Sequence, residues 1–527
     1  MFKVWSRLAA SERILVRFGA TVLASLARLV FSFGSGVLTA RGLGAAHYGD
    51  LTFLMASFSA IGQLTDMGSA SAFYTFLSRR TRTLKFLSLY ILWVFSQFIL
   101  TFLIVGVVLP SSVIHHLWVG HDRGMVLLSL IATFLANDAW ATAVQLGEAR
   151  RKTVLVQSTS VLLAALHLLL IAIATYKGYL TVKTVFVFII CEYVVLLGLY
   201  GPKLIRLNLQ VEPETGETAG NILKEYIGYC RPLVVYSWIG FVFTMFDRWL
   251  LQRFGGSAEQ GYFSVALQFS TIGTIMATSI GQVFWKEFAE AHHKSDNVRM
   301  KYLCHSTGKN MYFICAWIGC LFIPYAREIL LNTVGKSYES AILPLTLMFI
   351  YPLHQALSHV YSGALYASQK THVHARIVNI MMIIGIPISY FILASPSAPL
   401  PGFGLGAIGL ASKMVAWQMV CVNWEIYVIS RMNGWPFHFL HQITALAALL
   451  ALGWAGRTAD VFLSGWLPLL KKPFPFMIGG GLVYIFFSAS LFYRFPQLFG
   501  LKKEDVERIR QGARKILGHI LPAAEAR

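Results

Sequence analysis

The sequence predicts an all-α polytopic membrane protein: 14 transmembrane helices, built as two pseudo-symmetric six-helix lobes plus two C-terminal helices. Three observations lead there. Of 527 residues, 56% are hydrophobic and only 13% charged, against about 25% charged in a soluble domain. Apolar runs of about 20 residues, enough to cross a bilayer, fill most of the length. The chain also echoes itself. A shift of about 212 positions carries Arg41 onto Arg253 and Gly49 onto Gly261, and brings Ser57-Phe58-Ser59 within one residue of Phe269-Ser270-Thr271. Ala149-Arg150-Arg151-Lys152-Thr153 matches Ala367-Ser368-Gln369-Lys370-Thr371 at nearly the same offset. Internal repeats are typical of transporters.

Helices follow from the solvent. In hydrocarbon, backbone polar groups must be satisfied within the element, and the short alternating segments of a membrane β-barrel are absent. The net charge of +20 does not signal nucleic acid. Basic residues of a polytopic protein collect in cytoplasmic loops, and no nucleic-acid motif accompanies them. The six cysteines show neither metal spacing nor a disulfide framework.

In order, Met1–Arg13 reads as a surface segment. Six spans follow: Phe18–Ala40, Leu51–Phe76, Leu84–Leu109, Met125–Leu146, Val154–Thr175 and Val182–Leu204. The second six are Ile227–Leu251, Tyr262–Phe288, Ser306–Leu331, Ala341–Ala367, Ala375–Ala394 and Leu405–Ile429. Phe439–Ala455 and Phe474–Tyr493 complete the count. The domains are an N-lobe at 1–205, a cytoplasmic linker at 206–225, a C-lobe at 226–432, helices 13 and 14 within 433–497, and a cytoplasmic tail at 498–527 whose Lys502–Ile520 stretch is an amphipathic helix suited to an anionic leaflet. Lys and Arg concentrate in alternate loops, which places both termini in the cytoplasm and Arg41 and Arg253 outside. An even number of spans per lobe makes the repeat a parallel one. Pro232, Pro324, Pro344, Pro352 and Pro387 interrupt spans, as passive kinks or as hinges.

An ionisable residue at the centre of a span costs about 2.5–3.5 kcal/mol, so it lines a cavity or finds a partner. Arg28, Asp66, Asp138, Glu192 and Lys413 fall near mid-span; Arg231, Asp247, Arg248 and Glu425 lie nearer the ends. His167, His354 and His359 read as interior residues with partners. Arg28 and Lys413 either face a cavity or pair with a buried carboxylate such as Asp66 or Asp138. No HExxH, P-loop or GxSxG occurs. Gly404-Leu405-Gly406-Ala407-Ile408-Gly409 spells GxGxxG but opens a span without a βαβ unit. The expectation is no enzyme, no cofactor and no metal centre.

Four stretches carry a family resemblance. They are Leu38-Thr39-Ala40-Arg41-Gly42-Leu43-Gly44 with Tyr48-Gly49 and Asp66-Met67-Gly68; Phe246-Asp247-Arg248-Trp249-Leu250-Leu251 followed by Gly261-Tyr262-Phe263-Ser264-Val265-Ala266; Gly335-Lys336-Ser337-Tyr338 with Ala341; and Gly402-Phe403-Gly404-Leu405-Gly406-Ala407. In this order and spacing the chain resembles the Wzx-type polysaccharide and O-antigen flippases, whose superfamily also holds MATE exporters and the lipid II flippase. The resemblance implies twelve core helices in two lobes around a cavity that opens alternately inward and outward. It implies an undecaprenyl-diphosphate-linked oligosaccharide as substrate, moved across the bacterial inner membrane for cell-surface or exopolysaccharide synthesis. Membrane lipid and polysaccharide polymerases are the implied partners, with no nucleic acid. In the lipid II flippase two extra C-terminal helices form a groove for the lipid tail.

With that substrate, Arg28, Lys413 and Arg231 become candidates for binding the diphosphate, because Arg offers a planar fork to phosphate and Lys a point charge. Asp66, Asp138 and Glu192 are candidates for ion coupling, and Arg41, Asp247 and Arg248 for a gate. The second reading is a MATE-like ion-coupled exporter of organic cations or drugs. A membrane polymerase or ligase is a third, disfavoured by short outer loops.

Overall fold

The computed structural model describes residues 14–79, 82–209, 218–466 and 476–496, with Glu507 and Gln511. The expected surface segment Met1–Arg13 lies outside them, as does all but two residues of the expected tail helix. Every regular element among the described residues is helical. Among the described residues, eleven segments are long and apolar enough to cross a membrane. The sequence reading of fourteen treats two of these, Leu23–Asp66 and Ala219–Thr274, as two crossings each. It also adds Gly406–Met432, whose Lys413, Glu425 and Arg431 lower its hydropathy.

The chain divides into two compact units, Met1–Gln268 with Lys336–Tyr338 and Asn379–Leu410, and Phe269–Gly335 with Glu339–Val378 and Ala411–Arg527. The first unit opens with α1, Ile14–Asp66. Fifty-three helical residues would be about 80 Å long, more than twice the hydrocarbon thickness of about 30 Å, and Gly44 (φ 74°, ψ 171°) interrupts the run. There follow α2, Ser69–Arg79, and α3, Leu84–Leu103. Then α4, Arg123–Thr133, passes through a π-helical turn, Phe134–Ala139, into α5, Trp140–Ala149. The next helices are α6, Thr153–Lys177, and α7, Val182–Leu209. Residues 210–217 of the expected linker lie outside the described residues; after them α8, Ala219–Cys230, leads through a 3-10 turn at Arg231–Leu233 into α9, Val234–Leu250. Finally α10 spans Gly256–His293.

Helices α1 and α6 pack together along their length, and α9 lies on α1. A second core joins α2, α3, α5, α7 and α8 through Phe73, Phe76, Phe86, Tyr90, Trp140, Leu196 and Ile222. Helix α8 is held there by an ion pair. The Arg82 guanidinium donates to both carboxylate oxygens of Glu225, at 2.9 and 2.8 Å, and lies over the Phe76 and Phe86 rings.

In the second unit, Asn297–Phe322 packs on Tyr351–Ala367, and Leu440–Trp466 on both Asn297–Phe322 and Phe476–Arg494. Their shared core includes Met311, Tyr312, Ala316, Leu353, Leu357, Val422, Leu449 and Tyr484.

The sequence repeat is legible in the backbone. Gly256 has φ 82° and ψ 177°, the conformation of Gly44. Arg151 (φ 56°) and Gln369 (φ 58°) are two of only five non-glycine residues with positive φ among the described residues, and each closes the C-terminus of its helix. Lys152 N donates to Gly147 O and Lys370 N to Leu365 O, both at 2.9 Å.

Candidate functional site

Two polar constructions stand out in the first unit. The first begins where α1 ends. Met67 (φ 49°) and Gly68 (φ 86°) break the helix, and Gly68 is required there because left-handed backbone favours residues without a Cβ. The carboxylate of Asp66 accepts from Gly68 N at 3.0 Å, Ser69 Oγ at 2.7 Å and Ala70 N at 2.8 Å. It thus satisfies the free N–H groups of α2, where the helix dipole favours an anion. Eleven residues of α2 rise about 16 Å, half the hydrocarbon thickness, so a chain break with exposed amide groups would otherwise stand near the bilayer centre.

A polar cavity of about 200 Å³ adjoins this break. Asp66 and Asp138 both line it, with Gln63, Gln97, Asn137, Thr142 and Gln145. Asp138 comes from the π-helical turn between α4 and α5. Such turns add a residue to a helix and often mark functional sites. Its carboxylate faces Gly62, where an added Cβ would lie 3.6 Å from Oδ1. Asn137 Nδ2 donates to Ser59 Oγ at 2.9 Å. Gln97 Nε2 and Gln145 Oε1 are buried without a hydrogen-bond partner in the structure. Two carboxylates with amide and hydroxyl oxygens form a donor set suited to a proton or a hard monovalent cation. No cluster of three or more His, Cys, Asp or Glu residues suited to a metal occurs among the described residues.

The second construction is a junction between the repeated segments. A Cβ at Gly49 would lie 1.7 Å from the Ser257 carbonyl oxygen, and one at Gly261 would lie 2.0 Å from that of Ala45. Ala45 and Ser257, and Gly49 and Gly261, are repeat partners, so the contact is reciprocal, as across a two-fold axis. Thr52 Oγ1 and Ser264 Oγ, themselves repeat partners, meet at 2.8 Å. Small residues let helix backbones approach this closely in a membrane. Tyr48 Oη donates to Gln268 Oε1 at 2.9 Å. Asp50 Oδ1 accepts from Ser257 Oγ at 2.5 Å and Gln252 Nε2 at 3.2 Å, with His121 Nε2 3.4 Å away.

The remaining sequence candidates are placed as follows. Arg28 is exposed on α1 and makes no ion pair with Asp66 or Asp138, so the packing role through those carboxylates is not what the structure holds. Arg231 is exposed in the turn before α9. Glu192 is buried and sits 3.0 Å from His167 Nδ1, away from the polar cavity. Asp247 is buried; Arg248 donates to Ser264 Oγ at 3.1 Å and covers the Phe263 ring, beside the junction. Arg41 is exposed. Lys413 belongs to the second unit and is 4% exposed. The GxGxxG stretch is a packing device: Gly404 and Gly406 have positive φ, and Glu259 Oε2 accepts from Ala407 N at 2.6 Å where that helix begins. Sequence reasoning missed Gln63, Gln97, Asn137 and Gln145, whose signal was neutral polarity inside apolar runs. It also missed Asp50, which follows the first repeated motif directly.

Helical elements throughout the described residues and an internal repeat are features of membrane transporters. The solved structures agree on the fold. A structure titled lipid II flippase MurJ, inward closed conformation, matches with a TM-score of 0.65 at 14% identity, covering 90% of this chain and 98% of that one. An inward-facing multidrug resistance MATE family transporter of the MOP superfamily matches with a TM-score of 0.54 at 14% identity, covering 77% and 96%. A MOP superfamily transporter from Pyrococcus furiosus gives 0.52 at 13% identity, covering 81% and 97%. A comparison with curated proteins found no match. Residues 15–285, just over half the chain, match the family described as Polysaccharide biosynthesis protein, and the chain belongs to that family. The resemblance read from its motifs is borne out.

Proposed function

We propose that the protein is a flippase that moves polyprenyl-diphosphate-linked oligosaccharide repeat units across the bacterial inner membrane by alternating access. The observation that carries this reading is membership of a polysaccharide biosynthesis family by a chain with a transporter fold. Its product leaflet is the outer one, where polysaccharide polymerases consume the glycan for O-antigen or exopolysaccharide. Both termini lie in the cytoplasm. Arg28 and Arg231 in the first unit, and Lys413 in the second, are each candidates for contact with the diphosphate. Asp66 and Asp138 bind the coupling ion in the polar cavity, and Glu192, beside His167, is the third ion-coupling residue. Arg41, Asp247 and Arg248 belong to the gate around the glycine junction.

The test is made in cells that depend on this protein for surface glycan. Its depletion should trap lipid-linked repeat units where an impermeant lectin cannot reach them, and re-expression should release them. Asp138→Asn keeps the shape of the cavity but removes the titratable group. It should lower glycan export about tenfold or more, equivalent to at least about 1.4 kcal/mol, at unchanged membrane abundance. Unimpaired export after depletion would refute the reading.

The two carboxylates in one cavity favour a second reading, an ion-coupled exporter of organic cations. In that case depletion should raise cellular retention of a cationic dye and leave glycan export intact.

A further inference from the structure

The first unit contains a second cavity, of about 800 Å³, between α3 and the α8–α9 connection. That is within the range of ligand sites, about 300–1,000 Å³. Its walls are apolar: Leu89, Leu92 and Trp93 from α3, Leu223 and Ile227 from α8, and Val234 from α9. Leu92, Leu223 and Ile227 are 63%, 60% and 55% exposed. Large apolar side chains this exposed, in helices of a membrane protein, open the groove to lipid rather than to water. Water would not fill so apolar a volume.

The rim carries charge. Arg231 lines the groove and is exposed; its backbone N–H donates to Ile227 O, and its guanidinium has no hydrogen bond or ion pair among the described residues. Pro232 fixes the turn that presents it. The other charged lining residue, Asp66, already holds the N-terminal groups of α2 through Gly68, Ser69 and Ala70. A free guanidinium above an apolar slot suits a lipid with an anionic phosphate head. Helix α8 is held in place by Arg82 and Glu225, so the slot has a fixed wall. Asp66 and Tyr90 line both this groove and the polar cavity, so a chain lying here touches the residues assigned to ion coupling.

We propose that this groove receives the isoprenoid chain of the polyprenyl-diphosphate substrate, with Arg231 holding a phosphate at its rim. The proposal rests on the flippase reading. One slot and one cation fit a lipid with a single chain and a compact anionic head; a phospholipid would leave its second chain outside.

The test uses the purified full chain in nanodiscs, with fluorescent polyprenyl diphosphate as probe and dioleoyl phosphatidylglycerol as competitor. Leu92→Trp and Leu223→Trp fill the groove from exposed positions, where a larger side chain meets no packed core. Each should weaken probe binding about tenfold, or about 1.4 kcal/mol. Arg231→Gln should weaken polyprenyl diphosphate binding by a similar factor and leave binding of uncharged polyprenol unchanged. As a measurement independent of the tryptophan variants, Leu223→Cys should react with a membrane-permeant maleimide, and polyprenyl diphosphate should protect it. Wild-type binding unaltered by both Trp variants, with Leu223→Cys unprotected, would overturn the groove and leave the flippase reading standing. Equal competition by the phospholipid would overturn the choice of ligand. Failure of the wild type to bind any polyprenyl lipid would overturn both the groove and the flippase reading.

Discussion

Gly49→Ala and Gly261→Ala are each expected to abolish glycan export while the protein still reaches the membrane. The added methyl would lie 1.7 Å from one backbone carbonyl oxygen in the first case and 2.0 Å from another in the second. Neither obstacle is a side chain that can rotate away, so the two segments must part by more than an ångström. Parting removes the Thr52–Ser264 and Tyr48–Gln268 hydrogen bonds, worth about 0.5–1.5 kcal/mol each, and adds an overpacking cost of about 1–3 kcal/mol. The closed junction would lose about 3 kcal/mol, which displaces a two-state equilibrium roughly a hundredfold. Gly44→Ala is the matched control. Its backbone has φ 74°, whereas Gly49 and Gly261 have no positive φ, and nothing lies within 4 Å of its added Cβ. It should cost about 1–2 kcal/mol of local strain and retain measurable export. Equal loss in all three variants would mean that the close backbone contact at Gly49 and Gly261 does not decide the effect.

Glu225→Ala is expected to destabilise the protein by about 3 kcal/mol. The Arg82 side chain is only 1% exposed, Glu225 33%. Removing the carboxylate leaves a guanidinium in a nearly dry site with Phe76 O, at 3.3 Å, as a remaining acceptor. Breaking a buried pair from one side costs about 3–5 kcal/mol, and the partial exposure of Glu225 sets the value at the low end. Replacing both partners, Arg82→Met with Glu225→Leu, should recover most of the loss, since no charge is then stranded. Thermal unfolding in detergent reads both effects. A single variant as stable as wild type would mean that water reaches Arg82 and α8 is held by its aromatic contacts alone.

The fold class was legible because membrane helices write their composition over 20 residues at a time. The repeat was legible because Gly44 and Gly256, and Gly49 and Gly261, answer to backbone demands that no other residue type meets. The polar cavity was only half visible. Asp66 and Asp138 stood out as charges, but their proximity depends on the π-helical turn at Phe134–Ala139 and the break at Met67–Gly68, both of which rephase the helix. The anchor of α8 was not legible because the partner of Glu225, Arg82, is 143 residues away. Arg28 read either as a cation facing a cavity or as one paired with a carboxylate; it is exposed on α1.

The central claim is that the glycine junction opens and closes during transport. Thr52→Cys combined with Ser264→Cys tests it most directly. The native oxygens are 2.8 Å apart, so the two Cβ atoms lie within reach of a disulfide, which spans about 3.5–4.5 Å between Cβ atoms. Oxidation should cross-link the pair and stop glycan export, and reduction should restore it, while each single cysteine variant exports under both conditions. Full export by the cross-linked protein would contradict the account.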